Sequence, residues 1–233
     1  MEGFDLWEVL GNADYAAMLR EGIRFTFVVF VGSWLLAMSL GITLLVIRQL
    51  PGRLPNAVVT AYISYHRNVP TLVQLMLWYF GIFALLPTAM QYWLSDNNGE
   101  TIFAVIALGL CQAAYFSEDL RSGLRSIPAG QAEAAKALGH GHISAMRYVM
   151  MPQAVRNALP ALINHTVSLF KNSSLAMAIG VSELTHAVQE VQSLSFRVFE
   201  AYTIATVLYL AISLALMAVG AFLQVRAARA GGR

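Results

Sequence analysis

The side chains in this sequence that could do chemistry are few, and their spacing decides what that chemistry would be. Asn164, Ser168 and Lys171 follow at intervals of four and three inside an otherwise apolar stretch, with His165 and Asn172 overlapping them. On a helix these fall on one face. Glu118 and Asp119 stand side by side, and adjacent helical residues do not face each other, so they make no general acid–base pair. Their expected partners are Arg121 or Arg125. His140 and His142 lack further ligands, make a poor metal site and read as part of a solvated loop. Cys111, inside an apolar run, reads as a small buried hydrophobe. The Gly-rich, Lys-bearing signature of a phosphate loop is absent, so the chain is not expected to be its own P-loop ATPase. Neither a cofactor, a metal site nor a catalytic residue is expected. What remains is a polar stripe in an apolar helix, suited to holding or passing a polar solute.

Composition sets the elements that must position this stripe. The chain is 58% hydrophobic and only 12% charged, about half the charged share of a soluble domain. Most of its surface must therefore face lipid. A net charge of +2 without any basic run gives no reason to expect nucleic acid. A membrane span needs about 20 apolar residues, and five segments qualify: 25–47, 69–86, 101–120, 158–181 and 201–224. The fifth to be recognised, 158–181, is interrupted by Lys171, Asn172, Ser173 and Ser174. The first twenty-two residues are mixed polar and acidic, with no basic n-region, and read as mature chain rather than a signal peptide. The expected fold is an all-α integral membrane protein with a single transmembrane domain over 25–226.

Basic residues orient it. With the C-terminus inside, Arg48, Arg53, Arg67, Arg121, Arg125, Lys136, Arg147, Arg226, Arg229 and Arg233 are cytoplasmic, against Arg20, Arg24 and Arg197 outside. This asymmetry predicts an external N-terminal segment 1–24, a cytoplasmic tail 227–233 and a cytoplasmic connection 121–153.

That connection carries the most specific pattern. Pro128 can open a helix, Gln131 to Leu138 sustain it, and Gly139 suits a left-handed end. A second helical stretch, Ile143 to Met151, leads to Pro152. Two spans need only a few residues to connect them, so a helix–glycine–helix elbow suits a docking surface. Glu133-Ala134-Ala135, then Gly139, then Met151-Pro152 resembles the EAA loop of ABC importer permeases, with Val149 and Met151 standing where that motif has Ile and Leu. The resemblance implies a separate cytoplasmic ATP-binding subunit docked on Glu133, Ala134, Ala135, Gly139 and Pro152. It also implies a periplasmic or extracellular substrate-binding protein and a bacterial inner-membrane location.

Further segments narrow the likeness. Arg67 to Gln74 (RNVPTLVQ), Ala114-Tyr115 with Glu118 and Arg121, Pro152-Gln153-Ala154, Phe170 to Leu175 (FKNSSL) and Ile179-Gly180-Val181 resemble permeases for polar amino acids. The Lys171-Asn172-Ser173 version is most like glutamate/aspartate permease subunits. The substrate path is then expected along Asn164, Ser168, Lys171 and Asn172. A lysine at the bilayer centre costs about 3 kcal/mol, so the stripe should face the bundle interior or a watered cavity. Equally open is a structural role, with Asn and Ser tying helices and Lys171 snorkelling outward. One elbow and five spans call for a second permease chain, identical or sister. A proton-coupled secondary transporter using Lys171 and His165 is the alternative.

Overall fold

The computed structural model describes residues 4–230, and the described residues are helical throughout, joined by short turns. Residues 1–3 and 231–233, including Arg233 of the expected tail, lie outside them. Local chemistry starts the first two helices. Asp5 caps α1 (Leu6–Leu10) by accepting from Trp7 N, and Asn12 caps α2 (Ala13–Arg48) by accepting from Asp14 N and Tyr15 N. At about 1.5 Å per residue, the 36 residues of α2 exceed a hydrocarbon core of about 30 Å, so its ends emerge from the apolar layer.

Between the expected first and second spans the chain forms a further helix. Gly52, at φ 108°, opens α3 (Arg53–Asn68), an amphipathic helix that buries Val59, Ile63 and His66. At Val69-Pro70 the chain bends by 106° into the expected second span. Pro70 offers no N–H and biases Val69 to extended backbone, which forbids one continuous helix. Beyond it come α4 (Thr71–Met76), a π-helical turn over Leu77–Ile82, and α5 (Phe83–Leu85). The short α6 (Thr88–Asp96) leads to α7 (Gly99–Arg125).

Helix α7 is the axis of the molecule, packed against α2 and α10 (Met151–Asn172). Glycine permits the closest approach. A Cβ on Gly123 would lie 2.3 Å from the Ala154 carbonyl oxygen, and one on Gly41 would lie 3.1 Å from Phe116 Cβ. Between α7 and α10 lie α8 (Ala129–Ala137), α9 (His142–Ala145) and a π-helical turn over Met146–Met150. After α10 a 3-10 segment, Ser173–Ile179, ends at Gly180 with φ 88°, followed by α11 (Leu184–Ser195) and α12 (Val198–Ala230). Helix α10 starts seven residues before the expected position 158, because Pro152 sits in its first turn, where its missing N–H costs nothing.

Three helices, α2, α7 and α12, are long and apolar enough to cross a membrane, and the bent α3–α5 unit makes a fourth when taken as one span. The most apolar stretch of α7 is 61% buried and that of α12 only 11%. Helix α12 exposes Leu210, Leu214, Met217, Val219 and Phe222, a surface suited to lipid. Two ion pairs mark opposite poles of the bundle. Arg48 at the end of α2 meets Glu118 on α7, whereas Arg197 before α12 meets Glu8 on α1. The end of α2 and the last turns of α7 therefore share one pole, and the chain start shares the other with the start of α12.

Candidate functional site

The elbow is built by a glycine and two proline-opened helices. Pro128 precedes α8, whose end closes as a Schellman turn. Gly139 N donates to Lys136 O at 2.9 Å and His140 N to Ala135 O at 3.0 Å. Gly139 takes φ 84° with no atom within 4 Å of where a Cβ would stand, so the requirement for glycine is conformational rather than steric. Ala135 is buried at 2% exposure beneath the elbow. Glu133, Ala134, Gly139 and Pro152 stand on its open side.

Two residues that the sequence analysis did not single out complete this surface. Leu138 and Ile143, on either side of Gly139, are each 81% exposed. Apolar side chains flanking a glycine in a polar connection were the available signal. Two side-chain links fix the elbow to α10, and a third joins the two helices on either side of it. Asn157 Nδ2 donates to Ser126 Oγ at 2.9 Å, and Gln153 Nε2 donates to Gln131 Oε1 at 3.2 Å. Deeper, His165 Nδ1 and Asp119 Oδ2 lie 2.6 Å apart, joining α10 to α7. Asp119 thus pairs across helices with His165, contrary to its expected pairing with Arg121 or Arg125. Glu118 does pair with Arg121, and also with Arg48 from α2. His140 Nδ1 is 3.1 Å from Ser144 Oγ, within the loop itself.

The polar stripe divides into two parts. Ser168 and Asn172 line a small cavity of about 150 Å³ together with His165, Thr71, Gln112 and Tyr115. Gln112 is 5% exposed, and its Nε2 has no hydrogen-bond partner among the described residues. A buried donor without a partner is costly, and here it borders a cavity able to hold polar groups. Arg67 stacks over the Tyr115 ring at 5.5 Å, and Tyr115 lies 5.0 Å from the His165 ring. Asn164 and Lys171 are instead exposed on the outer face of α10. Gln112 and the Asp119–His165 pair escaped the sequence analysis because they come from α7 and meet α10 only in the fold.

The chain is similar to known proteins over most of its length. The protein is 31% identical over 213 residues to the glutamate/aspartate import permease protein GltJ of Escherichia coli K12, covering 90% of this chain and 87% of GltJ. It is 32% identical over 216 residues to the arginine transport system permease protein ArtQ of Bacillus subtilis, covering 90% and 94%. Among solved structures, an amino acid ABC transporter crystallised with histidines superposes with a TM-score of 0.83 at 28% identity, over 96% of this chain and 99% of that one. The MetNI methionine ABC transporter shares the fold, with a TM-score of 0.71 at 16% identity, over 93% and 99%. Residues 34–229 match the family described as binding-protein-dependent transport system inner membrane component. That match spans the elbow and the polar face of α10, and it bears out the resemblance to ABC importer permeases read from Glu133 to Pro152: the chain belongs to the binding-protein-dependent transport system inner membrane component family.

Proposed function

We propose that this chain is the permease subunit of an ABC importer that carries a polar amino acid, glutamate or aspartate, across a bacterial inner membrane into the cytoplasm. The observation that carries the reading is the exposed elbow, with Glu133, Ala134, Leu138, Gly139 and Ile143 presented around one left-handed glycine at the pole marked by Arg48 and Glu118. A surface of this shape suits a groove on a separate ATP-binding subunit, which supplies the energy. Its links to α7 and α10 suit it to pass rigid-body motion into both helices.

Five crossings fit this arrangement: α2, α4–α5, α7, α10 and α12, with the N-terminus outside and the C-terminus cytoplasmic. Helix α10 makes the fifth despite Arg156 and Lys171, because its polar face need not meet lipid. That face, running through Asn157, Asn164 and Lys171, is open on the single chain. A second permease chain covering it would enclose a path lined by Asn164, Ser168, Lys171 and Asn172. A binding protein delivers substrate at the pole of α1 and α11. GltJ, as its name states, serves glutamate and aspartate, and Lys171 offers a cation to a side-chain carboxylate.

The test is uptake of labelled glutamate into proteoliposomes holding this chain, its ATP-binding subunit and its binding protein. The account expects uptake that requires all three and ATP, and that unlabelled aspartate competes away. Uptake surviving without the ATP-binding subunit would instead support proton coupling.

A further inference from the structure

At the inner end of the polar face of α10 lies a second, separate pocket. Its volume is about 430 Å³, and its polar lining comes from Ser126 after α7, Gln153, Arg156 and Asn157 on α10, and Gln224 on α12. Pro128, which opens the elbow helix, also borders it. We propose that this pocket is an exit site, in which Arg156 holds the α-carboxylate of the transported amino acid before release to the cytoplasm; the assignment rests on the amino-acid importer reading above.

Among the described residues, Arg156 is the one ionisable group in the lining, and none of their carboxylates borders the pocket. Arg156 is partly buried, and its guanidinium has no hydrogen bond or ion pair with any other described residue. The other partly buried arginines, Arg48, Arg121 and Arg197, all have carboxylate partners. A partly desolvated guanidinium without a counter-ion is costly, and an incoming carboxylate can meet it in bidentate fashion.

Pro160, inside helix α10, also lines the pocket. Proline has no N–H, so the carbonyl of Arg156, four residues earlier, loses its helical donor. One residue thereby offers a cationic fork from its side chain and a backbone acceptor without its i+4 donor. A zwitterion carries the matching pair, a carboxylate and an ammonium. Gln153, Asn157 and Gln224 add side-chain amides able to donate or accept.

Arg156 and Lys171 are fifteen residues apart on one helix, about 22 Å at the helical rise, so they stand near opposite ends of one polar face. Lipid is a poor occupant of a face that also exposes Asn157, Asn164 and Lys171. Because the pocket touches α10, α12 and the start of the elbow helix, it is emptied or filled as those elements shift against one another.

The experiment uses Ala228→Cys at the rim of the pocket, the native Cys111 being buried at 4% exposure. The assembled importer, nucleotide-free in nanodiscs, is alkylated with a small maleimide in the presence of glutamate, glutamine or arginine. The amino acid that the same preparation imports should slow labelling about tenfold once well above its dissociation constant, and its α-carboxamide derivative should not. Arg156→Gln should abolish the protection, and Arg156→Lys should retain part of it. An imported amino acid that gives no protection overturns the exit site and leaves the importer reading standing. Protection undiminished in Arg156→Gln overturns the role of Arg156. Protection that follows phosphatidylglycerol content rather than amino acid assigns the pocket to lipid phosphate, and loss of the ATP-binding subunit from Arg156→Gln assigns Arg156 to a partner carboxylate; each of these also overturns the proposal. Absence of any amino-acid import would instead remove the reading on which it rests.

Discussion

His165 on α10 and Asp119 on α7 approach to 2.6 Å and tie together the two helices that the elbow joins. The pair is partly buried, with side-chain exposures of 34% and 11%. It provides a stiff strut above the elbow, alongside the Asn157–Ser126 contact nearer the end. If the strut transmits motion, Asp119→Asn, which keeps a hydrogen bond, should retain most transport. Asp119→Leu should lose at least about tenfold, the lower end of what a hydrogen bond to a charged group contributes. A double-mutant cycle with His165→Leu checks it: the second substitution should add little to the first.

The proposed orientation follows from basic residues, and the fold gives it two handles. Asn97 lies after α6 and Ser126 after α7, at opposite ends of the same helix. In intact cells, an impermeant thiol reagent should label a cysteine placed at Asn97 and fail to label one placed at Ser126. The reverse pattern would put the elbow outside, where no ATP-binding subunit could reach it.

Packing predicts the site least tolerant of bulk. Gly123 lets α7 touch α10, and a Cβ there would lie 2.3 Å from Ala154 O and 2.9 Å from Ala158 Cβ. Both obstacles belong to a helix backbone or a short side chain, so neither can swing away. Gly123→Val should therefore cost several kcal/mol by overpacking and lower the thermal midpoint of the detergent-solubilised protein. Gly130→Val, with nothing within 4 Å, is the control and should lower it far less.

Substrate charge is tested at Lys171. With its side chain on the open face of α10, its ammonium would attract a side-chain carboxylate passing along that face. Lys171→Met should depress glutamate uptake about fivefold to tenfold, as removal of one charge from a partly dry path implies. Asn164→Leu should depress it less, since only a neutral group is lost. Assembly and basal ATP hydrolysis should be unchanged. Equal uptake in Lys171→Met would return the lysine to a structural, snorkelling role.

These experiments follow a boundary between what the chain declares locally and what only the fold reveals. The apolar runs of α2, α7 and α12 are legible because lipid leaves its mark on every residue of a span. Gly139 is legible because a helix former, then glycine, then a second helical stretch admits few backbone solutions, and φ 84° is the one adopted. Helix α3 was missed because its sixteen residues are amphipathic and basic, neither apolar enough for a span nor rich in caps. Gln112 could not be read from the sequence: an amide in an apolar helix looks like helix glue until its cavity is seen. The Asp119–His165 contact, 46 positions apart, is likewise tertiary. Lys171 and Asn172, neighbours in one motif, separate because successive helical residues point about 100° apart, one outward and one into the cavity.

The central claim, that the elbow couples this chain to a separate ATPase, is tested most directly by binding-protein-stimulated ATP hydrolysis in the reconstituted complex. Gly139→Val places a β-branched residue at φ 84° in open space, so it disturbs the turn by about 1–2 kcal/mol without a clash. The account predicts that Gly139→Val inserts normally but hydrolyses ATP near the unstimulated rate, while Gly139→Asn, which tolerates the left-handed region, keeps much of the stimulation. Full stimulation in Gly139→Val, with the complex intact, would contradict it.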